Sequence, residues 1–146
     1  MPINYICRRS QGELGNPFDR DEQAMTALVT AGALVALADG RVDAVERDAV
    51  VDYIDRRRLA PAVSRRRVAE FFEERVRRLQ DRDFTDLIIE AFRPVAHLCL
   101  ALEVIRIAER TAAADGRLHP YEGQVTALIR LLMMSGTQPV DQERKE

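Results

Sequence analysis

The sequence predicts an all-α fold: a single-domain bundle of about six main helices in which a helix–corner–helix unit occurs twice as a pseudo-twofold repeat. Three observations carry this. Residues Ala24 to Ala38 are apolar on nearly every side, the mark of a helix buried around most of its circumference. The run Ala38-Asp-Gly-Arg-Val-Asp-Ala-Val-Glu46 aligns without gaps on Ala114-Asp-Gly-Arg-Leu-His-Pro-Tyr-Glu122, 76 residues later, and an apolar helix precedes each copy. Cap and stop residues divide the rest of the chain into helical lengths.

Residues 1–18 carry Gly12, Gly15, Asn16 and two prolines without a sustained period and read as an irregular arm. The helical domain spans 19–136. Its first helix starts near Asp19 and is stopped by Gly40, and Asp43 with Glu46 forms a capping box that opens the second, Ala44 to Arg58. Pro61 ends that helix, and Ser64 caps a third that runs to Gln80. Asp83 and Asp86 open a fourth at Leu87 to Phe92, and Pro94 sits at the first position of a fifth that reaches Ala114. After Asp115-Gly116, the segment His119-Pro-Tyr-Glu122 opens a sixth helix carrying Val125, Leu128, Ile129, Leu131 and Leu132, which Ser135-Gly136 breaks. Residues 137–146 read as a loose polar tail.

With 146 residues, 47% apolar and 32% charged, the chain can bury one aliphatic core, and its formal net charge of −2 gives no global field for nucleic acid. Nucleic acid is therefore an unlikely partner on sequence grounds. Cys7 and Cys99 stand far apart with no CxxC partner, so reduced thiols in the cytoplasm are expected. No basic segment leads into an apolar run at the N-terminus, and Ala24 to Ala38 is short for a bilayer span, so neither a signal peptide nor a transmembrane helix is expected.

The repeated Asp-Gly-x-apolar-x-x-x-Glu pattern coincides with the second half of an EF-hand loop. An EF-hand also needs ligands four and two residues ahead of that Asp, where this chain has Val35 and Leu37, then Thr111 and Ala113, which excludes one. What survives is a carboxylate at the end of one helix and another in the first turn of the next. Asp39, Glu46, Asp115 and Glu122 can converge on a divalent cation if the pseudo-twofold joins the corners, and four hard oxygens favour Ca²⁺, Mg²⁺ or Mn²⁺. The competing reading is that these side chains only cap their own helices, since Asp43/Glu46 and His119/Glu122 both have capping-box spacing.

An apolar helix ending in Ala-Asp-Gly, followed by an apolar residue and a Glu four places on, resembles the signature of TerB-like proteins, and both copies, Asp39 to Glu46 and Asp115 to Glu122, match it. The resemblance covers about residues 20 to 135. It implies an all-helical domain of the kind encoded in tellurite-resistance operons and attached to some membrane-anchored J-domain co-chaperones. It also implies metal-binding acidic residues at the corners, which by position are Asp39, Glu46, Asp115 and Glu122. His119 stands where the first copy has Asp43, a departure from the repeat. The function so implied is a non-enzymatic module in the response to tellurite, other oxyanions or envelope stress. It would act through protein partners in the cytoplasm, with an association at the inner-membrane surface allowed.

The alternative lies in Arg56 to Arg82, which holds ten Arg against Glu70, Glu73, Glu74 and Asp81 for a local charge of about plus six. Arg56 to Arg58, Arg65 to Arg67, Arg75, Arg77 and Arg78 can meet an acidic protein, anionic lipid or nucleic acid. Against this, the glutamates are interleaved with Arg66, Arg77 and Arg78 at helical distances, as on a solvated face laced by its own ion pairs. Enzymatic chemistry has no foothold: His97 and Cys99 lack acid partners, Ser64, Thr85 and Thr111 lack a nearby His, and no Gly-rich phosphate loop occurs.

Overall fold

In the computed structural model the described residues are 17–38, 40–81, 84–95, 100–114, 116 and 120–136. Within them the chain forms six α-helices and no strand: α1 (Pro17–Leu37), α2 (Ala44–Arg56), α3 (Arg65–Asp81), α4 (Phe84–Phe92), α5 (Leu100–Ala112) and α6 (Pro120–Gly136). The expected all-α class holds. Both the arm and the tail expected from the sequence fall on residues outside this description, apart from the first turn of α1.

α1 is the axle of the bundle. It contacts each of the other five helices, most widely α5. Met25, Ala27, Leu28, Val29, Thr30, Ala31, Ala33, Val35 and Ala36 are all fully buried, as an apolar pattern without a polar face requires. Pro17 takes its first helical position, where a missing N–H costs nothing, so the helix starts ahead of Asp19. Small residues let neighbours approach closely: a Cβ added to Gly32 would stand 2.4 Å from Val50 Cγ2 on α2.

α3 has the opposite character. Its apolar residues Val68, Phe72, Val76 and Leu79 form one buried stripe facing α1, and the rest of the helix is mostly charged. α5 buries Leu100, Val104, Ile105, Ile107, Ala108 and Thr111 between α1, α2 and α6. α6 buries Ile129 and Met133 but leaves Tyr121, Leu128, Leu131, Leu132 and Met134 exposed, so it has more apolar surface than the core consumes. Among the described residues no helix is long and apolar enough to cross a membrane.

α4 begins at Phe84, ahead of the expected Leu87, α5 ends at Ala112 rather than Ala114, and three further boundaries depart from expectation. α2 stops at Arg56 because Arg58 adopts the left-handed conformation (φ 53°). The Leu59 amide then donates to the Ile54 carbonyl (3.1 Å) and the Arg58 amide to that of Asp55 (3.2 Å), a Schellman closure with Arg where glycine is usual. Pro94 lies in a 3₁₀ turn, Arg93–Val95, rather than at the first position of α5, whose described part begins at Leu100. α6 runs through Ser135 to Gly136, because its packing against α1 and α5 outweighs the local stop signal.

The two corners carry the same backbone bonds at the same offset. Ala38 N donates to Val35 O and Ala114 N to Thr111 O, each at 3.1 Å. Gly40 N donates to Leu37 O at 2.9 Å and Gly116 N to Ala113 O at 3.1 Å. Gly40 (φ +88°) and Gly116 (φ +81°) both occupy the left-handed region, which a side chain would strain and which turns each helix sharply toward the next.

Candidate functional site

Of the four predicted corner carboxylates, Glu46 and Glu122 occupy the third helical positions of α2 and α6, and Asp39 and Asp115 lie outside the described residues. Glu46 is 1% exposed and Glu122 is 0% exposed, extreme burial for a first-turn glutamate. Glu46 Oε1 accepts the Asp43 amide at 3.1 Å, which is the glutamate arm of the capping box. The capping reading therefore has its bond at the first corner. Among the described residues no three His, Cys, Asp or Glu side chains stand together as metal ligands. Two buried carboxylates supply the hard oxygen donors that a divalent cation takes, and a complete set would need the two aspartates.

A second polar centre went unseen in the sequence. Glu103 is 1% exposed in the first turn of α5, where it joins α2 to α5. The Tyr53 hydroxyl donates to its Oε1 at 2.7 Å, and Arg57 donates through Nε to Oε1 (3.1 Å) and through Nη2 to Oε2 (2.7 Å). Arg106 lies 4.0 Å from Oε2, and the Arg57 and Arg110 guanidinium carbons stand 5.6 and 5.7 Å from the Tyr53 ring centre. Burial, and then the bond to Glu103, push the Tyr53 phenol up to about 12. The same carboxylate, by hydrogen bonding, raises Arg57 above its ordinary value. Tyr53 and Glu103 are fifty residues apart, so no local spacing joins them. The signal available was a lone acid inside the apolar run Leu100-Ala-Leu-Glu-Val-Ile105, which demands a buried partner.

Tyr53 and Arg57 of this centre line a cleft of about 1050 Å³ between α2 and α5, whose walls carry Arg56, Arg106 and Arg110 beside Asp48, Asp52 and Glu109.

Part of the arginine-rich stretch is engaged in structural roles. Arg65 bonds Asp52 (2.5 Å) and Asp55 (3.2 Å) on α2, and Arg47 on α2 reaches Glu73 on α3 at 3.0 Å. Among the described residues only Arg66 with Glu70, at 3.6 Å, forms the expected pair along the helix, so the lacing runs mainly between helices. Arg75, a candidate phosphate contact from sequence, is 5% exposed and stacks 5.0 Å from the Phe71 ring centre. Desolvation, and then the neighbouring Arg78, lower its pKa from the ordinary arginine value. Ser64 Oγ accepts the Arg67 amide at 3.1 Å as the cap of α3, and buried Thr111 donates to the Ile107 carbonyl at 2.7 Å. Both hydroxyls are thus committed to the backbone.

A family model described as "Tellurite resistance protein TerB" matches residues 25–139, which take in α1 through α6 and both corners. No curated protein and no solved structure matches the chain.

Proposed function

Since the chain belongs to the TerB family, we propose that it is a non-enzymatic helical module of the response to tellurite, related oxyanions or envelope stress. It works by contacts with protein partners and by holding a divalent cation at the repeated corner, through Glu46 and Glu122 with Asp39 and Asp115. The observation that carries this reading is the pair of fully buried glutamates, each at the third position of a helix that follows a left-handed glycine. Carboxylate oxygens of this kind suit Ca²⁺, Mg²⁺ or Mn²⁺, and the cation would tie the two helical corners together. The exposed Leu128, Leu131, Leu132 and Met134 of α6 support a role in protein contacts. The engaged hydroxyls of Ser64 and Thr111 support the absence of catalysis. Recognition of an acidic partner by the arginine-rich α3 is the weaker reading, because Arg65 and Arg66 already have carboxylates and Arg75 is buried.

Glu46→Gln and Glu122→Gln separate cation binding from capping. A glutamine oxygen still accepts the amide that Glu46 accepts, so the cap survives, but the anionic donor is gone. Calorimetric titration of chelator-treated protein with Ca²⁺, Mg²⁺ and Mn²⁺ is expected to give saturable heat that either substitution abolishes while the fold stays intact. No heat with any of the three cations, or heat unchanged in both variants, refutes the metal role.

A further inference from the structure

α6 buries Glu122, Ile129 and Met133 toward the bundle and turns the opposite side of the helix to solvent. That side carries Tyr121, Leu128 and Leu131, which are 62%, 48% and 63% exposed, with Leu132 at its edge. Together with Gln124 they follow one another at three, four and three residues, so they line up as one stripe and not as scattered singles. Charge is missing from this stripe. The charged residues of α6 are Glu122, which is buried, and Arg130, which lies at the margin and bonds Glu109 of α5. In a chain that is 32% charged, a solvent-facing helix side without a free charge is a departure that the core does not require.

We propose that this stripe is the docking surface for a second copy of the chain, α6 against α6 about a two-fold axis, in a reversible dimer. The chemistry of the face selects that occupant. A helix that lies on a membrane surface carries several Lys or Arg for the headgroups, and α6 has a single arginine whose charge Glu109 already meets. A strongly charged partner would strip water from its own ionic groups against apolar side chains and gain no ion pair. A second copy brings the same uncharged stripe, so burial is mutual without repulsion, and a face that pairs with itself about a two-fold closes at two chains. The area agrees with this. The exposed parts of Tyr121, Leu128, Leu131 and Leu132 come to on the order of 400 Å². Pro120, Gln124 and Ala127, all exposed, extend the stripe, so two copies together bury about 1,000 Å², where specific interfaces begin. Gly123 has open space where a Cβ would stand, and with Ala127 one turn further on it lets two helix backbones approach closely. Residues 137–146, which follow the helix in the chain, hold five charged side chains and one aliphatic, Val140, and offer the stripe no apolar counterpart. Such a dimer rests on the protein-contact part of the function proposed above, whereas the cation part is read separately by titration.

Sedimentation equilibrium of the full chain, with reductant present and over about 1 to 500 µM, tests this. The weight-average mass is expected to rise from one chain to two and to stop there, with a dissociation constant in the micromolar range that suits a small interface. Leu131→Glu, which puts a carboxylate into the apolar stripe of each copy, should raise that constant at least tenfold, and Leu128→Ser should raise it less. Both residues are exposed in the single chain, so circular dichroism should show the fold of either variant intact. Ile89→Glu, at a 43% exposed position on α4, should leave the association unchanged. The proposal is overturned by a chain that stays monomeric throughout, the result expected if residues 1–16 or a different protein occupies the stripe. It is equally overturned by growth beyond two chains, by unchanged association in Leu131→Glu, or by a loss in Ile89→Glu as large as that in Leu131→Glu. A monomeric chain that still binds a cation at its corners refutes the dimer and leaves the cation part of the proposed function standing.

Discussion

Replacing Gly32 by Ala tests the close approach of α1 and α2 on which the first corner depends. The new Cβ would stand 2.4 Å from Val50 Cγ2, whereas ordinary contact begins at 3.4 Å, so about 1 Å of relief must come from somewhere. Val50 is fully buried and branched at Cβ, so it cannot swing away within its helix. Overpacking of this kind costs about 1–3 kcal/mol, and the better helix propensity of Ala returns about 1 kcal/mol. The expected net loss is therefore up to about 2 kcal/mol, or a melting temperature lower by up to about 6 °C. Val50→Ala alone opens a cavity worth about 2 kcal/mol. In the double variant the new methyl occupies the space the valine vacates, so its loss should fall short of the summed single losses by at least about 1 kcal/mol. Urea denaturation followed by far-ultraviolet circular dichroism measures all four proteins. Strict additivity, or a stabilised Gly32→Ala, would refute the contact.

Other outcomes follow from the α2 terminus and the buried centre. Arg58→Gly removes a side chain from the left-handed position that closes α2, and the gain should exceed the added chain entropy of glycine, raising stability by up to about 1 kcal/mol in thermal melts; a lower melting temperature would contradict the cap geometry. The Tyr53 phenol titrates near 12 when folded against an ordinary value of 10, so the folded state favours its proton. Stability from this group is then intact below pH 10 and is lost as pH rises toward 12, and the difference between wild type and Tyr53→Phe in unfolding free energy across that window should shrink accordingly. Glu103→Ala strands the Tyr53 hydroxyl and Arg57 together and should cost about 2–3 kcal/mol, below the range for a fully buried pair because the Arg57 side chain is 39% exposed. Glu103→Gln, which still accepts from Tyr53, should cost less in the same denaturation assay.

The sequence by itself determined the helical class, the central place of α1 and the two glycine corners. These are local or near-local properties: the periodicity of Ala24 to Ala38 dictates burial on all sides, and an Asp-Gly step after an apolar helix leaves few conformations open. Boundaries were less legible where a non-glycine residue took a glycine position, as Arg58 does, and where packing carried α6 through Ser135. The corner glutamates were identified by spacing, but their near-total burial came from the helices around them. Only the tertiary structure decided which charges meet. Tyr53, Arg57 and Glu103 come together because α2 and α5 lie side by side, and Arg65 of α3 finds its carboxylates on α2 while Glu73 of α3 finds Arg47 there. Pairing across helices depends on crossing geometry, which one-dimensional charge spacing does not encode.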